Sequence, residues 1–168
     1  GKINDAETPH SQPYRAASID SFVIRTAVND RLAHPMHGIG VDAVSYTGAQ
    51  AGIVVGGAEA GLLIGTAAIL AGTDAARIAQ LPVTDGMKNE AIMHRAHRNG
   101  YDHGVRAAGA TIVDIGYGAS TLPYQLRAAI NERTALVVYL MSPWASHAAL
   151  SLEQTCQIAH EANIPVLV

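Results

Sequence analysis

The feature that most constrains the fold of this chain is an alternation, from Ile53 onward, of short apolar or β-branched runs with helical stretches. Ile53-Val54-Val55 is followed by a helical stretch from Ala58 to Ala71. Ala91-Ile92-Met93 is followed by His103 to Ala108, and Thr111 to Ile115 by Leu122 to Glu132. Ala135 to Leu140 then reads as a buried strand, Ser151 to Ala162 as a helix, and Pro165 to Val168 as a further strand. Ser151 stands three residues ahead of Gln154, the spacing of a capping box at a helix start. Strands alternating with helices require right-handed crossovers, so the pattern predicts an α/β fold: three layers, with a mostly parallel sheet and helices on both faces. The balance of 49% apolar, 15% charged and 5% aromatic residues suits strands buried on both sides.

A chain of 168 residues is one domain's length and can bury roughly 70% of the surface that its unfolded form exposes. Residues 1–46, punctuated by Pro9, Pro13, Pro35, Gly38 and Gly40, read as an arm or entry layer with helical candidates at Ile19–Leu32 and Val41–Tyr46. Residues 47–168 carry the alternating pattern. A net charge of −3 without a basic stripe gives no support for nucleic-acid binding. The apolar stretch Ala51 to Ala71 approaches membrane-spanning length, but Glu59 and several glycines interrupt it and aromatic anchors are missing, so no membrane span is expected. A single cysteine, Cys156, forms no internal disulfide, which fits a reducing, cytoplasmic setting. The sequence stops on Val168 inside a strand pattern, and the expectation is that more of the sheet lies elsewhere.

Two segments carry chemistry. In Ile53-Val54-Val55-Gly56-Gly57-Ala58-Glu59 a strand pattern meets a glycine turn and then a helix, whose first N–H groups form an anion-binding geometry. Gly56-x-Ala58-x-x-Gly61 nearly satisfies a dinucleotide fingerprint. It lacks the required context, because no strand ending in an acidic residue follows at the right distance. A plain structural glycine turn is the other reading. The second segment crowds His94, His97 and His103 with Arg95, Arg98 and Arg106 just beyond the strand at Ala91. Three readings compete there: a metal site, for which His-x-x-His at 94 and 97 is a loose match; solvated or helix-capping residues; and contacts to a ligand, with Arg98 offering a bidentate fork to a carboxylate or phosphate. Asp102 and His103 suit a helix start. The loop Met141-Ser142-Pro143-Trp144-Ala145-Ser146-His147 follows another strand and is expected to face the same crevice, beyond the carboxyl ends of the strands.

Thr47-Gly48-Ala49-Gln50, Val54 to Ala58, Ala67 to Asp74, Leu81-Pro82, Lys88 to Ala110 and Glu132 to Ala135 follow one another in an order and spacing that carry a family resemblance. The chain resembles the selenocysteine-synthase-like branch of fold-type-I pyridoxal-phosphate enzymes, which includes L-seryl-tRNA(Sec) selenium transferase and D-glucosaminate 6-phosphate ammonia-lyase-like proteins. The resemblance implies the first part of a pyridoxal 5'-phosphate-binding large domain. The backbone of Gly57, Ala58 and Glu59 would hold the cofactor phosphate, His97 would stack on the pyridine ring with Tyr101 as the alternative, Ser142 would bond the ring oxygen, and Arg98 would bind substrate. Glu59 departs from the small residue usual in the family, and a carboxylate there repels a phosphate unless its side chain turns away.

The only lysines are Lys2 and Lys88, neither at the family's Schiff-base position, and no residue corresponds to the acidic partner of the pyridinium nitrogen. The implied function is therefore part of a lyase or transferase acting at the α and β carbons of an amino acid or amino sugar acid, completed by a C-terminal half or second chain within a homo-oligomer. The alternative is a non-catalytic assembly or binding domain derived from that fold.

Overall fold

The computed structural model describes residues 52, 53, 55–143 and 145–168. The arm at 1–46, its two helical candidates and the motif at Thr47–Gln50 lie outside the described residues. The elements are helices α1 (Ala58–Ala71) and α2 (Ala75–Gln80), strand β1 (Glu90–His94), helix α3 (His103–Ala107) and strand β2 (Thr111–Ile115). Helix α4 (Pro123–Ala129), strand β3 (Thr134–Val138), helix α5 (Leu152–Glu161) and strand β4 (Val166–Leu167) complete them.

The four strands form one parallel sheet in the order β2-β1-β3-β4. Ala91, Met93, Leu136 and Val138 point to the face covered by α1 and α3, through Leu70 and Val105. Ile92, Val137 and Val166 point to the other face, covered by α4 and α5 through Leu126, Ile158 and Ala159. This is the three-layer α/β arrangement expected from the alternating pattern. Each such fully buried aliphatic side chain contributes about 1.5–3 kcal/mol, so the sheet's two faces carry most of the fold's stability.

From β1 the chain turns through α3 to β2 on one side, whereas from β3 it turns through α5 to β4 on the other. β1 and β3 are nonetheless neighbours, so a topological switch point, where a crevice opens in sheets of this kind, lies between their carboxyl ends.

Local chemistry sets the boundaries. Asp74 caps α2, its Oδ1 accepting from the N–H groups of Ala76 at 2.9 Å and Arg77 at 3.2 Å. Ser151 and Gln154 form the expected capping box on α5. Helix α4 ends at Ala129 rather than Glu132, because Asn131 bends the chain: its Oδ1 accepts from Arg133 N–H at 2.8 Å, and its own N–H donates to Thr134 Oγ1.

The strand expected at Ile53-Val54-Val55 is a correction. Ile53 and Val55 join no ladder, Ile53 is 71% exposed, and Val54 lies outside the described residues. A β-branched run becomes a strand only where a neighbour supplies its hydrogen bonds, and none of the four strands does so here.

Candidate functional site

Helix α1 begins without a side-chain cap. Its N-cap is Gly57, at φ +142°, a conformation open to glycine and rarely to other residues. Open space surrounds Gly56 and Gly57 where a Cβ would stand, and the first turn contains Ala58 and Glu59. The N–H groups of that turn are directed outward at the positive end of a 14-residue helix. The Glu59 carboxylate is drawn aside to His103, its Oε1 lying 2.8 Å from Nδ1. Gly104 lets α3 approach this turn closely, since a Cβ there would run into the Glu59 carbonyl. The glycine-led start of α1 is thus pressed against the segment that follows β1.

That segment is braced throughout. Asn99 Nδ2 donates to the His97 carbonyl at 2.9 Å, and Asn99 Oδ1 accepts from Tyr101 N–H at 2.8 Å. Arg98 donates through Nε to Asp102 Oδ2 at 2.5 Å and through Nη1 to Asp114 Oδ1 at 2.7 Å. Arg106 Nη1 takes the other oxygen of Asp102 at 2.5 Å. Burial opposes ionisation of Asp102, but hydrogen bonds from Arg98 and Arg106 outweigh it and hold the carboxyl below its usual range. Asp102 makes no side-chain cap on α3, so the expected capping role gives way to this bridge between two arginines. The Arg98 fork, read from sequence as a ligand for a substrate anion, is filled by two carboxylates of its own chain. Tyr101, 59% exposed, points away from the core.

His94, the final residue of β1, and His97, three residues on, are both 0% exposed. Their rings lie 4.8 Å apart, and Tyr139, just past β3, meets both edge-on at 5.7 and 4.6 Å. The three rings fill the switch point. Tyr139 Oη donates to the Leu150 carbonyl at 3.0 Å, and Leu140 N–H donates to His97 Nδ1 at 3.2 Å. An accepting Nδ1 places the proton of neutral His97 on Nε2. Among the described residues, that Nε2 and both nitrogens of His94 have no partner. Both imidazoles are lowered from 6.5 to about 4, His97 by desolvation on burial and His94 by desolvation together with the proximity of His97. Both rings are neutral at pH 7.

The cluster of three histidines and three arginines therefore divides. His94 and His97 lie inside, while His103 and Arg95 stay at the surface. Ser142 is half-buried in the loop after β3 and lines a cavity of about 600 Å³ with Tyr139, Met141, Ser151, Leu152 and Glu153. Tyr139 was not singled out by the sequence, and Asp102 was read there only as a helix-start residue. The signal for Asp102 was present in the spacing of Arg98, Asp102 and Arg106 at four-residue intervals. Lys88 lies two residues ahead of β1, at the opposite end of that strand from His94. Five strand residues at about 3.3 Å each separate it from the site by roughly 15 Å or more. Among the described residues no group of three or more His, Cys, Asp or Glu is placed to hold a metal ion, and no helix is long and apolar enough to cross a membrane.

The architecture is thus a parallel α/β sheet with a glycine-led helix start and an imidazole pair at its switch point. No protein-family profile matches the chain. Over 128 residues it is 34% identical to D-glucosaminate-6-phosphate ammonia lyase of Salmonella typhimurium (strain 14028s / SGSC 2262), a match covering 73% of this chain and 35% of that protein. It is 30% identical over 131 residues to 5'-C-glycyluridine monooxygenase-decarboxylase of a Streptomyces species, covering 73% of this chain and 32% of that protein. A solved structure of D-glucosaminate-6-phosphate ammonia-lyase superposes with a TM-score of 0.73 at 32% identity, covering 79% of this chain and 37% of the other. The chain is related to these proteins and spans about a third of their length.

Proposed function

We propose that this chain is the opening portion of the large domain of a pyridoxal-phosphate-dependent enzyme of lyase or transferase type, acting on an amino sugar acid or related amino acid. The observation that carries the reading is the uncapped, glycine-led start of α1, held by Gly104 and His103 against the loop that bears His97. Two features fit the cofactor. The space around Gly56 and Gly57 accommodates a phosphate, and the unpartnered Nε2–H of His97 is a buried donor awaiting an acceptor. The names and identities of the two relatives support the substrate class, since one is a lyase of an amino sugar acid phosphate.

In this reading the N–H groups of Ala58 and Glu59 and the dipole of α1 hold the phosphate, while the pairing of Glu59 with His103 keeps its carboxylate from opposing that charge. His97, fixed by Leu140 N–H and flanked by His94 and Tyr139, sets the ring position; because it is enclosed in this chain, a side chain around it moves aside on binding. Tyr101 and Ser142 stand as further cofactor contacts. Bound pyridoxal phosphate supplies an electron sink for deprotonation at the substrate α-carbon. The lysine and the acidic ring partner come from the remaining two-thirds of the relatives' length or from a second chain, within a homo-oligomer. Lys88 does not serve.

The test is binding of pyridoxal 5'-phosphate and of unphosphorylated pyridoxal to the full chain, followed by absorbance. The phosphate is expected to tighten binding about tenfold or more, equivalent to about 1.4 kcal/mol at the helix terminus. Equal affinity for the two compounds would remove the phosphate seat from the account.

A further inference from the structure

The loop from Arg95 to Asp102 contains no helix longer than a single turn, yet nearly every polar side chain in it is engaged. At its centre stands Asp102, whose side chain is 5% exposed and whose two oxygens are each taken by a different arginine. Arg98 reaches from that carboxylate to Asp114 on β2, and Arg106 reaches to it from α3. Asp102 thereby links the loop, the helix after it and the neighbouring strand. His97 is one residue from Arg98, and its carbonyl is held by Asn99 within the same loop.

We propose that Asp102 is a positioning residue: by clamping Arg98 between α3 and β2 it fixes His97 so that its Nδ1 stays on the Leu140 N–H and its ring stays dry between His94 and Tyr139. Arg98 then acts through its own chain's carboxylates, holding the loop rather than gripping a substrate anion. The clamp itself stands on this chain alone. Its consequence for the cofactor rests on the reading of His97 given above.

Two readouts report on the clamp without any ligand. The Leu140 amide is protected from hydrogen exchange only while His97 Nδ1 accepts from it. The imidazole of His97 stays neutral down to about pH 4 only while it is desolvated. In the full chain, Asp102→Asn is expected to lower Leu140 protection by about tenfold and to raise the His97 pKa towards its ordinary 6.5. The direction is diagnostic. Removing a nearby negative charge by itself lowers an imidazole pKa, so a rise reports entry of water.

Arg127→Gln, which breaks an exposed pair with Glu161 on the opposite face of the sheet, is the control for general destabilisation and should move neither readout. Should Asp102→Asn fail to fold, Asp114→Asn frees one arm of Arg98 from the exposed side and should shift both readouts in the same direction by a smaller amount. Unchanged Leu140 protection and His97 titration in whichever of these variants folds would overturn the clamp. A loosened Leu140 with unaltered pyridoxal phosphate affinity would leave the clamp standing and overturn the cofactor role of His97.

Discussion

Acid should destabilise this chain earlier than its carboxylates alone would dictate, and the His94–His97 pair sets the magnitude. Burial lowers each imidazole from 6.5 to about 4. The unfolded chain therefore takes up protons that the folded chain refuses, so stability is full above pH 6.5 and falls as the pH drops towards 4. A difference of about 2.5 pH units at about 1.4 kcal/mol each amounts to about 3 kcal/mol per imidazole, with a limiting slope of about 3 kcal/mol per pH unit for the two together. Because the rings lie 4.8 Å apart, a second proton enters against the first, and the two titrate as a coupled pair. Urea unfolding of the full chain at several values between pH 7.5 and pH 4.5 measures the slope directly. His94→Leu should roughly halve it. At pH 7 that variant also removes two unpartnered ring nitrogens, each costing about 1–3 kcal/mol, against ring contacts worth about 0.5–1.5 kcal/mol. The variant should accordingly be as stable as the parent, or more so. A flat pH dependence in the parent, or an unchanged slope in His94→Leu, would refute the assignment of buried neutral imidazoles.

Other variants test other contacts. Gly104→Ala forces a Cβ against the Glu59 carbonyl and should cost about 1–3 kcal/mol in thermal or urea unfolding, whereas Gly100→Ala, with open space at the same point, should cost less. Glu59→Gln should change pyridoxal phosphate affinity by less than about 1 kcal/mol, because His103 already diverts the carboxylate; a larger gain in a binding titration would show that Glu59 opposes the phosphate after all. His97→Ala should weaken cofactor retention, read as loss of the bound chromophore on gel filtration, and full retention would take His97 out of the site.

Much of the architecture was legible in the residues. β-branched runs at Thr111 to Ile115 and Ala135 to Leu140 mark strands, the first partly exposed and the second buried over Ala135 to Val138, and Ser151 with Gln154 marks a helix start from purely local hydrogen bonds. Ile53 and Val55 belong to a run of the same composition yet join no ladder, since pairing depends on a neighbouring strand that no local pattern reveals. The site shows the same division. His97 and the glycine turn were visible because their neighbours in sequence are distinctive. Tyr139 was not, since it reaches the histidines only through the parallel register of β1 and β3. Asp114, one of the two partners of Arg98, was likewise hidden: it lies on β2 and becomes a neighbour only when β1 and β2 pair.

In the proposed function this chain holds the phosphate and ring of a pyridoxal cofactor whose lysine lies outside it. Borohydride reduction of the protein purified from its own cells, followed by denaturing mass spectrometry and peptide mapping, tests that claim most directly. The expected result is a pyridoxyl group on a lysine outside these 168 residues, with Lys2 and Lys88 unmodified. A pyridoxyl group on Lys88, or none on any polypeptide that carries or accompanies this sequence, would contradict it.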